Sequence, residues 1–308
     1  MLSGELLSLL VAIMWTFTAL FAEVASRRLG ALTLNVWRMF LTLLLLAATM
    51  WVSCGSPWPS HVPPAAWGWL LASGFMGFVF GDYCLFNSYV LIGSRFGQLF
   101  MTLASPFAAI TAWVLMGERM SALALVGMTV TIFGISLSIM GKDDGGHRHV
   151  KLPIRGVLLG IGAGMGQGVG LVFSKMGLQA YEAALPLTAT DLHAMIPFAG
   201  TMIRAMMGLV GFGSAMLWTH QAHTIPRMWH DRRAAMAATC TILLGPFLGV
   251  SLSLKAVGMT HAGVAQTLMS LTPVFILLPA HLIFGTRIRP TEVVGAIIAV
   301  CGASLFFL

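Results

Sequence analysis

Apolar residues run in ten stretches along this chain, near 3–26, 31–52, 66–90, 96–117, 120–141, 155–178, 188–218, 233–258, 262–284 and 289–308. A helix needs roughly 20 mostly apolar residues to cross a hydrocarbon core, and these runs meet that length. They do not alternate: Leu41 to Ala48 is apolar throughout apart from Thr42. Barrel strands would be about 10 residues long with alternating polarity. The pattern predicts an all-α integral membrane protein of ten transmembrane helices, with no loop large enough for a separate soluble domain.

The last two spans of each half repeat one another. Gln98–Leu137 aligns with Gln266–Leu305 without a gap, and 12 of the 40 pairs are identical, among them Gln98/Gln266, Gly117/Gly285, Arg119/Arg287, Gly127/Gly295 and Gly134/Gly302. The polar stretch Gly141–Pro153 separates the halves. The expected units are a first five-helix repeat at 1–141, a polar linker at 142–154 and a second repeat at 155–308. Five helices per half start the second half on the opposite side of the bilayer, so the repeats are inverted. Such halves enclose a central cavity in alternating-access transporters.

Composition agrees with immersion in lipid. The chain of 308 residues is 58% hydrophobic and 9% charged, with mean hydropathy +0.89. The net charge of +7 is spread over short loops and does not mark a nucleic-acid surface. Arg27, Arg28, Arg95, Lys142, Arg148, Lys151, Arg155, Arg227, Arg232, Arg233, Arg287 and Arg289 fall on one face, against Arg119 and Lys255 on the other. Cytoplasmic loops carry the excess of Lys and Arg. That count places both termini outside. The first helix lacks a basic start and carries Glu5 and Glu23, so it does not read as a cleaved signal peptide. Cys54, Cys84, Cys240 and Cys301 form no CxxC pair, and the loop histidines His147, His149, His220, His223 and His230 suggest no metal. No hydrolase, nucleotide-binding or metalloprotease motif occurs, so neither an enzyme nor a cofactor is expected.

The two five-helix halves, Gly117-Glu118-Arg119 between the fourth and fifth spans, Ser105-Pro106 in the fourth, and the Gly127/Gly134 spacing in the fifth resemble the EamA-type branch of the drug/metabolite transporter superfamily. The second half departs from it, with Thr286 where the first has Glu118. The resemblance implies a monomeric transporter whose central cavity opens alternately to each side. It implies cargo such as amino acids, sugars, nucleotide sugars, polyamines or xenobiotics, often exported or exchanged with protons. It also implies cytoplasmic termini, against the Lys and Arg count.

Polar groups inside a bilayer are costly and mark candidate sites. Gln98, Thr102 and Ser105 share one face of the fourth span, and Gln266, Ser270 and Pro273 occupy the matching places of the ninth. They are expected to line the cavity, with Pro106 and Pro273 as hinges, because proline removes a backbone donor. Asp82 lies mid-span beside aromatic positions and suits a substrate ammonium or a proton, with Tyr83 and Asn87 near it. Glu23 and Lys175 occupy matching places in the first and sixth spans and suit a gate or proton site, and a Glu23–Arg38 pair is expected. Arg204 suits a substrate carboxylate, and Trp15 is a further lining candidate. The partners expected are a small-molecule substrate, the lipid bilayer and protons, without nucleic acid. The reading is a secondary transporter of a small polar metabolite, an amino-acid-like zwitterion first, working as an exporter or exchanger in a bacterial inner membrane. A multidrug exporter of cations, a lipid-carrier flippase and a non-transporting membrane partner are the alternatives.

Overall fold

The computed structural model describes residues 2–117, 122–140, 152–186, 190–259, 268–285 and 288–305. Among them there are helices and no strands. The helices used below are α1 (Leu2–Leu29), α2 (Ala31–Cys54), α3 (Pro64–Gly74), α4 (Tyr83–Met101), α5 (Ala104–Met116), α6 (Ala122–Met140), α7 (Ile154–Ala184), α8 (Thr190–Trp218), α9 (Arg227–His230), α10 (Arg232–Ile242), α11 (Leu248–Met259), α12 (Thr272–Phe275), α13 (Leu277–Phe284) and α14 (Pro290–Ser304). Six helical runs are long and apolar enough to cross a membrane: Gly4–Leu29, Ala31–Cys54, Pro64–Met101, Ile154–Ala184, Leu192–Trp218 and Arg232–Val250. Shorter apolar helices stand with them at Ala104–Met116, Leu125–Ile139, Thr272–Phe284 and Pro290–Ser304. Only helices and closed barrels satisfy their backbone without water, so these runs make a multi-pass membrane protein. Large apolar side chains stay exposed along them, including Phe17, Leu44, Val114, Phe133, Leu158 and Val210. In lipid that exposure carries no penalty.

The expected break between the third and fourth spans is narrower than the loop read from the sequence. Helical structure runs from Pro64 to Met101, and the turn is made within α4 by Gly93 alone, at φ 81 and ψ 159. A side chain disfavours that conformation. The Glu23 carboxylate from α1 then accepts the N–H of Ser94 at 2.6 Å and caps the helix that restarts there. Lower in the fourth span, Thr102 and Leu103 separate α4 from α5. The carbonyl of Thr102, whose donor Pro106 removes, accepts the N–H of Ser105 at 3.4 Å. The matching proline behaves alike: Met269 O, orphaned by Pro273, accepts the Thr272 hydroxyl at 3.0 Å.

Two π-helical turns interrupt the third and eighth spans, at Phe75–Asp82 and Leu243–Phe247. Their starts are related by the same offset of 168 residues that aligns Gln98 with Gln266, and that offset also aligns Gly77 with Gly245 and Gly81 with Gly249. The packing follows suit. A Cβ on Gly81 would meet Gln167 Nε2 at 3.2 Å, and one on Gly249 would meet Trp15 Nε1 at 2.7 Å. Gly134 lies against the backbone of Ala299 and Gly295, while Gly302 lies against Thr131 and Gly127. Under the offset these are the same α6–α14 contact made twice.

Helix α7 packs through two glycine rows. Gly160, Gly164 and Gly168 face Phe100, Leu103 and Ala104 of the fourth span, whereas Gly162, Gly166 and Gly170 face Cys84, Gly81 and Gly77 of the third. Small residues let helix backbones approach in lipid, where no hydrophobic drive holds them together. Such contact fixes Gln167, between the two rows, beside the third span.

Ion pairs tie helix ends together at the arginine-rich end of the bundle. Arg28 meets Asp231 at 2.8 Å, just before α10. Arg95, beside the Gly93 turn, meets Glu292 of α14 at 3.0 Å. Arg27 meets Glu23 at 2.9 Å. The expected Glu23–Arg38 pair is not formed, because Glu23 is taken up by Ser94 and Arg27 one turn away.

Candidate substrate cavity

A cavity of about 420 Å³ lies between the first, fourth and sixth to tenth spans. Helical stripes supply its wall. From α7 come Gln167, Leu171, Ser174 and Leu178, and from α8 Pro197, Thr201 and Arg204. The fourth span gives Gln98, Thr102 and Ser105, the ninth Ser270, Thr272 and Pro273, the eighth Val250 and Ser253, and the first Trp15. The stripes from α7, α8, the fourth span and the eighth repeat at three or four residues, the period of one helix face. Ser174 and Leu178 lie late in α7, Pro197 and Thr201 early in α8, and Ser253 late in the eighth span. These residues extend the cavity toward the end opposite the arginine-rich one, while Gln98, three residues past Arg95, lines it from the other side.

Of the residues singled out in the sequence, Gln98, Thr102, Ser105, Ser270, Pro273, Trp15 and Arg204 stand on this wall. Gln266 lies outside the described residues, as do Glu118, Arg119, Thr286, His147 and His149. Gln98 donates to the Tyr89 hydroxyl at 2.7 Å, which turns its amide toward α4. Gln167, Ser174, Thr201 and Ser253 were not singled out. The signal was present, since Gln167 and Ser174 stand seven apart, as do Gln98 and Ser105.

Beside the cavity sits a buried charged cluster. Asp82 accepts from Arg38 and, at 2.8 Å, from Gln167 Nε2. It is 3% exposed and is not on the cavity wall. Arg38 lies over the ring of Phe86 at 5.0 Å. The Arg204 guanidinium lies over Phe78 at 4.7 Å, within electrostatic reach of Asp82. Its buried Nε has no hydrogen-bond partner.

This geometry corrects the expectations for the carboxylates. Asp82 is already occupied by a guanidinium and an amide donor, so no oxygen is presented to a cargo ammonium. Tyr83 is 43% exposed on the outer surface, and Asn87 turns its amide back to the Tyr83 carbonyl at 2.7 Å. Neither lines the cavity, and the same is true of Glu23, Arg38 and exposed Lys175. The prolines Pro106 and Pro273 stand beside the helix breaks described above. Among the described residues no group of three His, Cys, Asp or Glu is placed to hold a metal.

The model of the EamA-like transporter family matches residues 2–140 and again 154–308. No curated protein matches the chain. Its fold is similar to that of a solved protein crystal structure, with TM-score 0.62 and 16% identity, covering 98% of this chain and 95% of that one. The family match and the apolar helices define a multi-pass membrane protein of the drug/metabolite transporter type. The chain belongs to the EamA-like transporter family, which transports and is not enzymatic.

Proposed function

We propose that this protein is a secondary active transporter of a small polar metabolite that carries a carboxylate, amino-acid-like molecules included. The observation that carries the reading is the cavity wall, polar on several helices and holding Arg204 as its one charged side chain among the described residues. A guanidinium binds a carboxylate through two parallel N–H donors. Pockets of about 300–1,000 Å³ hold small ligands, and about 420 Å³ falls in that range.

The carrier works by alternating access. Ten helices form two inverted five-helix units, 1–141 and 155–308, joined by the linker 142–154. The duplicated Gly81–Gln167 and Gly249–Trp15 contacts support that architecture. The arginine-rich end is cytoplasmic by the Lys and Arg bias, the setting is a bacterial inner membrane, and the protein acts alone as an exporter or exchanger. A cation exporter is less well supported, because among the described residues no carboxylate faces the cavity.

The test is counterflow in liposomes holding the purified protein, with labelled amino acids, organic acids, polyamines and a cationic dye. Exchange of a carboxylate-bearing class, absent from empty liposomes, is the expected result. Exchange of the dye or polyamines alone would replace the reading with a cation exporter. Inactivity toward soluble cargo, with scrambling of labelled lipid, would replace it with a flippase.

A further inference from the structure

We propose that the cavity selects organic anions over zwitterions and cations, and that Arg204 is the selecting group, its counter-charge being supplied by the cargo. This rests on the transporter reading above and deepens it. The argument begins with the two arginines of the second and seventh spans. Arg38 and Arg204 each stand on the second span of their half, and both guanidinium groups approach the ring of Phe78, at 5.9 and 4.7 Å. Arg38 has a carboxylate partner, Asp82 of the third span. The offset that carries Gly81 to Gly249 carries Asp82 to Val250. Val250 lines the cavity, so the second half presents an isopropyl group where the first has a carboxylate.

Charge balance follows. Among the described residues, Arg38 and Asp82 cancel, Gln167 adds a neutral amide, and Arg204 is left over at the cavity wall with its buried Nε unbonded. A buried unpaired cation is costly and is relieved by an anion within reach. On the remaining polar wall, Ser105 and Ser174 offer hydroxyl groups that can donate to an anion, whereas Thr102, Thr201 and Ser253 donate to carbonyls of their own helices. No described wall residue offers a negative charge to an ammonium group.

The sign of the cavity potential is measurable without knowing the cargo. Ser105→Cys, on the cavity wall, is introduced into a chain in which Cys54, Cys84, Cys240 and Cys301 are replaced by Ala. Reaction rates are measured with three methanethiosulfonates of similar size: an anionic sulfonatoethyl, a cationic trimethylammonioethyl and a neutral reagent. Rates are normalised to a free thiol. A unit charge about 8 Å away at an effective dielectric near 20 changes the local concentration of a charged probe by about tenfold or more, in opposite directions for the two signs.

The expected result is an anion-to-cation rate ratio at least about tenfold above the free thiol, maintained in R204K and lost in R204Q. A ratio at or below that of the free thiol would overturn the proposal, as would a high ratio that R204Q leaves unchanged. Ser253→Cys serves as a second reporter if the Ser105 variant fails to fold. If the neutral reagent reaches neither thiol, the cavity is closed to solvent, and the transporter reading fails rather than the charge assignment.

Discussion

Arg38 and Arg204 stand on different helices with their guanidinium groups over one phenyl ring, that of Phe78, and Asp82 is bonded to Arg38. Removing the carboxylate leaves Arg38 buried without its counter-charge, near a second cation. D82N is therefore expected to destabilise the fold by about 3–5 kcal/mol, the cost of breaking a buried pair. Replacing both partners, as in R38M/D82L, removes the charges together and is expected to recover most of that loss. Thermal melting in detergent compares the three proteins. A D82N variant as stable as wild type would mean that Asp82 is not an obligatory partner of Arg38.

Arg204 differs from Arg38 in having no ion-pair partner among the described residues. R204M keeps an apolar stem on Phe78 and deletes a donor that is unsatisfied. Its stability is expected to stay within about 1 kcal/mol of wild type, since a buried donor without a partner contributes nothing by remaining. Transport of a carboxylate-bearing cargo is expected to fall at least about tenfold, the loss of one charge-assisted contact. Melting and liposome flux read the two effects separately.

The α6–α14 contact offers a test of the duplication. Added methyl groups at Gly134 and Gly302 meet equivalent backbone, around Ala299 in one case and Thr131 in the other. G134A and G302A are expected to destabilise by similar amounts, about 1–3 kcal/mol each, as overpacking does. Gly213 has nothing within 4 Å of an added Cβ, so G213A serves as the tolerated control. Unequal losses at the two positions, seen by melting, would count against an equivalent interface.

Asp231 lies in the loop before α10 and is held below its ordinary value of 3.8 by the Ala234 N–H, which its side chain accepts at 3.0 Å, and next by Arg28. A depressed acid stabilises the fold while ionised. The contribution is full above about pH 3.8, the unfolded value, and fades as pH falls through the lower folded value. D231N is expected to melt below wild type at pH 7, with the gap closing under acid. Melting curves at neutral pH and below pH 3.8 check the sign.

Much of this arrangement was readable because apolar length and helical period survive in a single sequence. The stripe Gln98–Thr102–Ser105 reaches the cavity because three polar groups on one helix face of a mid-bilayer span have few other places to go. Gly160–Gly170 reads as a packing surface for the same reason: two interleaved rows of glycine leave α7 no side chains to hold neighbours apart. Asp82 was different. A mid-span carboxylate reads alike whether it faces solvent or a guanidinium, and its partner Arg38 lies on another span. Tyr83 and Asn87 follow a π-helical turn, whose wider winding rotates everything after it relative to a regular α-helix. Glu23 stood out as a gate or proton site, yet it is held by Arg27 one turn on and by a backbone N–H exposed by the turn at Gly93, and no side-chain pattern announces the second.

The scaffold and its charges obey different rules of duplication. Glycine contacts recur in both halves, whereas Asp82 corresponds to Val250, Arg95 to Gly263 and Glu292 to Ala124. Packing alone would leave the two faces of such a molecule interchangeable. The ionic contacts Arg28–Asp231 and Arg95–Glu292 knit one face. Polarity, the distinction between front and back, thus resides in a few ionised side chains laid over a frame that is indifferent to it.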